Sequence, residues 1–280
     1  PLHLFSSHYN IPMFKFISFG SGSSGNCYYL YTENGGILID LGIGTRKLKN
    51  HFVDYGLNYF SGIKAILVTH DHADHIKSVG SISKKFEIPV YATRPVHSGL
   101  DSNVCMRNKI TRDRRMYVEP GVSFKIDDFN ITPFAVPHNS TDNAGYTIEH
   151  NGVVFSLLTD VGHITDEIAS VIRRTNYLVI EANYDPQMLE VGPYPYYLKE
   201  RIRSGSGHLS NLFCAEALVA NHTDNLRHIW LCHLSEENNK PEIAVQCVVD
   251  AVENAGIKTG DSLPVEVLRR KLPTGIFDLV

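Results

Sequence analysis

Short apolar runs dominate the first half of the chain: FKFISFG, NCYYLYT, GGILID, AILVT, IPVYAT, VSFKI, NITPFAVP, AGYTIEH and GVVFSLLTD. Gly, Asn and Asp punctuate them as hairpin connections do, and the runs predict strands. Helical periodicity replaces this pattern in TRKLKNHFVDYGL, after HDHADH through SISKKF, and in ITDEIASVIRRT, LSNLFCAEALVANH and KPEIAVQCVVDAVENAG. Thr165 or Asp166, Ser210 or Asn211, and Pro241 stand where helix starts are expected. Strands that cluster early and then alternate with helices suit two packed sheets with helices on their outer faces, an α/β architecture. No low-complexity linker or repeat divides the chain, so one domain is expected. The regular pattern begins near Phe14, which makes residues 1–12 an expected extension and 13–280 the domain.

At 280 residues, 43% hydrophobic and 20% charged, with a formal charge of −4, the composition fits a globular protein and argues against disorder. No run approaches the roughly 18 apolar residues of a membrane span, and the first residues lack the basic and apolar regions of a signal peptide. Cys27, Cys105, Cys214, Cys232 and Cys247 are odd in number and show no C-x-x-C spacing. Free thiols in a reducing cytoplasm are the simplest expectation, with most of them buried. The weak net acidity does not suggest a general nucleic-acid coat. One stretch, CMRNKITRDRRMY, concentrates Arg107, Lys109, Arg112, Arg114 and Arg115; a solvated loop is its plainest reading, and electrostatic tracking of a phosphate backbone the alternative.

Candidate chemistry gathers where strands end. VTHDHADH follows the apolar AILV, VPHNSTD follows ITPFA, LLTD ends GVVFSLL, and LCHLS ends RHIW. Four strands thus stop at residues able to bind a metal: His70 with His72, His138, Asp160 and His233. One such residue would ordinarily be a turn former; four beside a dense His/Asp cluster are harder to dismiss. His70 and His72 straddle one residue, so at the end of an extended segment their imidazoles point the same way and can share an ion. Asp74 and His75 can reach a second ion from the start of the next helix. Asp160 can bridge both, His138 completing the first site and His233 the second. Imidazole nitrogen and carboxylate oxygen suit Zn²⁺, Mn²⁺ or Fe²⁺, and the absence of a thiolate argues against a purely zinc-specific site.

The ordered set THDHADH, lone His, lone Asp and last His resembles the metallo-β-lactamase superfamily, over Phe14 to His233. The resemblance implies a four-layer αββα sandwich and a two-metal site whose ligands are His70, His72, Asp74, His75, His138, Asp160 and His233. It also implies that Asp40, in GGILIDLG, supports a ligand histidine, where an ordinary turn aspartate is the alternative. FISFGSGSSGNCYYL, YPYYLKERIRSGSGHLSN and LCHLSEENN resemble the YycJ/WalJ group, which implies a DNA substrate and 5′ to 3′ exonuclease activity. Only about 70 residues separate Asp160 from His233, too few for the insertion of the RNA-processing β-CASP relatives.

Phosphate-binding candidates follow from KERIRSGSGHLSN. Lys199, Arg201 and Arg203 precede a Gly-rich turn, and His208 stands just before a helix whose first amides are anion donors. Transfer-RNA-trimming relatives keep a histidine in a similar place, which makes His208 a candidate phosphate contact and leaving-group acid; a capping turn with an incidental histidine is the alternative. Ser24 and Asn26 in GSGSSGN are candidates to face substrate, or parts of a plain hairpin turn. The expected activity is phosphodiester hydrolysis with two divalent ions, Asp74 orienting the nucleophile or taking its proton. A thioester or lactone hydrolase would use the same centre, and a non-enzymatic regulator would retain only its shell. No base-reading pattern is present, and oligomeric state is not legible.

Overall fold

The computed structural model describes residues 13–58 and 60–280; the expected extension, 1–12, lies outside the described residues. In chain order the strands are β1 (Lys15–Gly20), β2 (Cys27–Thr32), β3 (Gly35–Ile39), β4 (Ile63–Leu67), β5 (Val90–Ala92) and β6 (Arg115–Tyr117). There follow β7 (Phe124–Ile126), β8 (Phe129–Ala135), β9 (Ala144–His150), β10 (Val153–Leu158), β11 (Tyr177–Glu181), β12 (His228–Cys232), β13 (Val265–Val267) and β14 (Phe277–Asp278). They form two seven-stranded sheets, ordered β14-β1-β2-β3-β4-β5-β6 and β13-β12-β11-β10-β9-β8-β7. In each sheet one part is parallel, β3 to β6 in the first and β10 to β13 in the second.

The helices are α1 (Thr45–Asp54), α2 (Ala73–Ile76), α3 (Val79–Phe86), α4 (Arg94–Ser102), α5 (Asp166–Arg174), α6 (Pro186–Val191), α7 (Tyr196–Arg203), α8 (Asn211–Asn221) and α9 (Pro241–Asn254). Strand alternation explains the layering. Phe16, Ile37, Ile39 and Leu67 face Phe155, Leu157, Val179 and Trp230 between the sheets. Their neighbours Ile17, Leu38 and Ile66 face outward onto Leu48 and Phe52 of α1, Ile82 of α3 and Leu100 of α4. Leu178, Ile180 and Ile229 likewise pack on Ile168 of α5, Leu218 of α8 and Val248 of α9. Because both faces of the central strands are buried, these strands read as continuous apolar runs rather than as alternating ones. The architecture is the expected α/β sandwich of helix, sheet, sheet and helix.

Thr165 caps α5 by accepting from Ile168 N at 3.2 Å, Ser210 caps α8 by accepting from Phe213 N at 3.1 Å, and α9 opens on Pro241. The helical stretch after HDHADH is divided into α2 and α3, because Ser78 turns inward: its N–H donates to Leu41 O at 2.8 Å and its hydroxyl to Ile43 O at 2.6 Å. α4, α6, α7, β6, β11, β13 and β14 were not among the elements named from the sequence. α7 has only eight residues, four of them charged, and β6 only three, inside the basic stretch. Among the described residues all five cysteines are free, with Cys27, Cys214 and Cys232 buried and Cys105 exposed, and no helix is long and apolar enough to cross a membrane.

Candidate metal centre

The carboxyl ends of the parallel strands all reach one rim of the sandwich, where crevices in such sheets ordinarily bind ligands. Asp40 follows β3, Thr69 and His70 follow β4, Asp160 follows β10, Glu181 ends β11 and His233 follows β12. Three of these residues have left-handed backbone, Asp40 (φ 59°), Asp160 (φ 55°) and His233 (φ 53°). Non-glycine residues held this way cost about 1–3 kcal/mol each and persist only where the surroundings over-determine them. The sharp turn swings each side chain back across the rim. Gly42 serves the same corner: a β-carbon there would meet the Asp74 carbonyl oxygen at 1.5 Å.

Three donor sets overlap at this rim: His70, His72, His138 and Asp160; Asp160, Glu181, His208 and His233; and Asp74, His75 and His233. Within each set one donor atom per residue lies within 4.8 Å of the others. His72 Nδ1 and His138 Nε2 are 3.3 Å apart. His75 Nε2 lies 3.2 Å from Asp160 Oδ2 and 3.6 Å from Asp74 Oδ2, and His233 Nε2 lies 3.3 Å from Asp74 Oδ2. His70 Nε2 is buried with no hydrogen-bond partner, an arrangement that costs about 1–3 kcal/mol unless the lone pair is used. A tetrahedral ion with bonds of about 2.0–2.1 Å keeps its donors roughly 3.3 Å apart. The first set therefore fits a divalent cation, and so does the mixed nitrogen and oxygen donor chemistry of the third.

A layer of buried groups fixes these rings. Asp40, fully buried, places Oδ2 2.7 Å from His75 Nδ1 and accepts from Thr69 N–H at 2.9 Å and the Thr69 hydroxyl at 2.8 Å. The Thr69 oxygen is 3.0 Å from His70 Nδ1, so one carboxylate steadies two imidazoles. His138 Nδ1 lies 2.9 Å from Gly207 O. Glu181 Oε1 lies 2.8 Å from His208 Nδ1 and 3.0 Å from His233 Nδ1, while its Oε2 accepts from Val161 N and Leu209 N at 2.8 and 3.0 Å.

Electrostatics divides the imidazoles. Burial pushes His70 well below its ordinary pKa, aided by the neighbouring His75, and burial brings His138 down to about 4. Both keep a lone pair. Burial also acts against charge on His75 and His233, yet Asp160, Asp40 and Asp74 lift His75 to about 10, and Asp160, Asp74 and Glu181 hold His233 well above the usual range. Desolvation would raise Asp160, but His233, His75 and His70 keep it well below. The cluster is thus an anionic pocket that draws positive charge into a buried site, either protons on His75 and His233 or cations in their place.

The structure brings together all seven expected ligands, with Asp40 beneath His75 and His208 at the edge. It does not gather the expected phosphate contacts. Arg201 lines the cleft of about 210 Å³ above the cluster, with His72, Asp74, Asp160, His208 and His233, and its guanidinium donates to Asn139 Oδ1 at 3.1 Å. Lys199 instead donates to Glu190 O at 2.5 Å, and Arg203 pairs with Glu190 at 2.8 Å and Glu200 at 3.4 Å. One helical residue apart means a turn of about 100°, so cations two apart face different sides. Ser24 is exposed, with Arg270 O 3.5 Å away; its neighbour Ser23 lines the cleft. Asn26 is buried as a brace, its Nδ2 2.9 Å from His75 Nε2 and 3.2 Å from Asp74 Oδ2. In the basic stretch Arg115 is paired bidentately with Asp101 at 2.6 and 2.8 Å, Arg114 with Glu87 and Asp113, and Lys109 with Leu100 O and Asn103 O. Arg107 and Arg112 are exposed. Glu181 was missed, although YLVIEAN carries the same signal as the other strands, an acid ending an apolar run.

A model of the beta-lactamase superfamily domain matches residues 36–233. The chain is 33% identical over 256 residues to exodeoxyribonuclease YycJ of Bacillus anthracis, covering 91% of this chain and 96% of that protein. It is 32% identical over 247 residues to exodeoxyribonuclease WalJ of Streptococcus pneumoniae serotype 2, covering 88% and 91%. Among solved structures, Zn(2+)-bound PqqB from Methylobacterium extorquens superposes with a TM-score of 0.69 at 15% identity over 93% of this chain and 99% of that one. The metallo-beta-lactamase fold protein YhfI from Bacillus subtilis gives 0.67 at 14% over 94% and 99%. At those identities the structures speak for the fold, whereas the family model and the two exodeoxyribonucleases speak for descent. The chain belongs to the beta-lactamase superfamily, alongside the YycJ and WalJ proteins.

Proposed function

We propose that this protein is a metal-dependent phosphodiesterase of the cytoplasm that shortens DNA from its ends, in the 5′ to 3′ direction implied by its resemblance to the YycJ/WalJ group. The observation that carries the reading is Asp160, a member of the first donor set whose Oδ2 also lies 3.2 Å from His75 Nε2 of the third, beneath a cleft that Arg201 and His208 line as well. The relationship to two exodeoxyribonucleases over most of the chain favours a nucleic-acid substrate.

In this reading His70, His72, His138 and Asp160 would hold one divalent ion, and Asp74, His75 and His233, with Asp160 beside them, would hold a second, Zn²⁺ or Mn²⁺ being best suited and Fe²⁺ admissible. Such ions supply Lewis-acid polarisation of a phosphoryl oxygen and a water of lowered pKa. The chain supplies the rest. Asp74, half-buried at the cleft, orients the attacking water and accepts its proton. Arg201, at the cleft wall, brings a cation to the phosphate. His208, anchored through Nδ1 to Glu181, turns its other nitrogen toward the departing oxygen and donates a proton there.

Digestion of end-labelled single- and double-stranded DNA, and of RNA, by the Mn²⁺- or Zn²⁺-loaded protein tests this reading. Progressive shortening of DNA from the 5′ end, lost in Asp74→Ala of checked metal content, is the expected result. Turnover of thioesters or lactones with no cleavage of any polynucleotide would move the protein to another hydrolase class.

A further inference from the structure

Beyond His208 and His233 the cleft continues into a second compartment of about 210 Å³ with a different lining. Ser23, Leu198, Ile202, His208 and His233 line both compartments, so the two are contiguous. The charged groups His72, Asp74, Asp160 and Arg201 belong to the first compartment alone. In their place the second has Tyr194, Leu234, Asn183 and Ser235. Across two imidazoles the surroundings therefore change from ionic to apolar and aromatic, with two neutral polar side chains.

The aromatic wall is held in place. Tyr194 is half-buried and packs with Leu198 against Tyr184, Leu189 and Ile202. The polar groups keep unused capacity. Asn183 donates its amide to His233 O at 2.7 Å, and among the described residues its Oδ1 accepts no hydrogen bond. Ser235 Oγ accepts from Asn238 N–H at 3.2 Å, which leaves its hydroxyl proton to donate. A rigid ring, two aliphatic walls, one acceptor and one donor make a site for a flat heteroaromatic ring with polar edges.

We infer that this compartment receives the nucleobase of a nucleotide whose phosphate lies over the imidazole and carboxylate floor. The inference rests on the phosphodiesterase reading and gives it a substrate form. Clefts for drug-sized ligands span roughly 300–1,000 Å³; at about 210 Å³ the compartment admits one base and excludes a base pair. The base enters unpaired, so the substrate is a single-stranded or frayed end, where leaving the stack is cheapest. Contact is by stacking and generic edge bonding, which tolerates every base.

The test uses the Mn²⁺-loaded protein and three chromogenic diesters. Thymidine 5′-(p-nitrophenyl phosphate) and thymidine 3′-(p-nitrophenyl phosphate) carry the base on either side of the phosphate; methyl p-nitrophenyl phosphate carries none. In each, water cleaves the P–O bond to the aryl group, giving p-nitrophenolate and a phosphate monoester. The better thymidine ester is expected to have a kcat/KM at least about tenfold above the methyl ester, a scale set by one base–aromatic stack. Tyr194→Ala should collapse that ratio toward one, mainly through KM, while Tyr196→Ala, an exposed aromatic outside the compartment, leaves the ratio intact. Calorimetry gives a second readout: thymidine 5′-monophosphate binds more tightly than 2-deoxyribose 5-phosphate, and Tyr194→Ala removes the difference. Equal turnover of base-bearing and base-free esters by the wild type, or a ratio unmoved by Tyr194→Ala, overturns the inference and leaves the phosphodiesterase reading standing. Failure to hydrolyse any of the three esters or DNA overturns both.

Discussion

On the floor of the cleft Asp40 holds His75, Thr69 bridges to His70, and Glu181 holds both His208 and His233; on the α7 wall Lys199 and Arg203 turn aside to Glu190 and only Arg201 reaches the cleft. The floor stands on strand ends, whose direction is set by a sheet with both faces buried. The wall stands on a short helix whose long cationic side chains each take a nearby partner, Lys199 the Glu190 carbonyl oxygen, Arg201 Asn139 Oδ1 and Arg203 the Glu190 and Glu200 carboxylates. Positions on the floor are thus dictated by the fold, while charges on the wall are settled locally. Chemistry that needs fixed distances belongs on the floor, and adjustable attraction belongs on the wall.

The largest effect should come from the floor. Asp160→Asn keeps the volume of a residue shared by two donor sets, and should lower DNA hydrolysis by about a thousandfold or more, since the ions it would hold are worth several kcal/mol. Steady-state rates at saturating Mn²⁺ measure it. His208→Ala should cost about a hundredfold in kcat with little change in KM, the loss of one general acid. Asp40→Asn touches no substrate, yet should weaken metal affinity by about 10–100-fold in a chelator competition, because it leaves His75 and Thr69 without their anchor. The wall should yield least. Arg201→Ala should raise KM for single-stranded DNA about tenfold and reduce the slope of log KM against log salt by about 0.7. Lys199→Ala and Arg203→Ala, whose cations point away from the cleft to the Glu190 carbonyl oxygen and the Glu190 carboxylate respectively, should each change KM by less than about twofold. Effects of Lys199 or Arg203 that equal those of Arg201 would erase the distinction between the α7 cation that lines the cleft and the two that turn away from it.

The same distinction explains what the sequence made legible. His70, His72, Asp74, His75, His138, Asp160 and His233 each follow an apolar strand, so pattern and chemistry coincide and the whole donor set is readable before any fold is known. Asp40 was expected from the family resemblance, with an ordinary turn aspartate as the alternative. Glu181 carries the same mark but lies in a strand that neighbours no histidine in sequence, and its contacts to His208 and His233 arise only when β11 is laid beside β12. The left-handed turns at Asp40, Asp160 and His233 leave no sequence trace, because strain depends on what surrounds a residue. Lys199, Arg203 and Ser24 were expected at the phosphate because they sit near His208 or in a glycine-rich loop. Proximity along the chain does not say which way a helix or a hairpin tip turns. Asn26, expected either to face substrate or to belong to a plain hairpin turn, lies within hydrogen-bond distance of Asp74 and His75.

Calorimetric titration of the metal-free protein with Mn²⁺ tests the central claim, that the floor is one site built for two cations around Asp160. Two equivalents should bind to the wild type, and Asp160→Asn should lose both stoichiometric transitions while keeping its fold by circular dichroism. Binding of fewer than one equivalent by the wild type, or an unchanged isotherm in Asp160→Asn, would contradict the account.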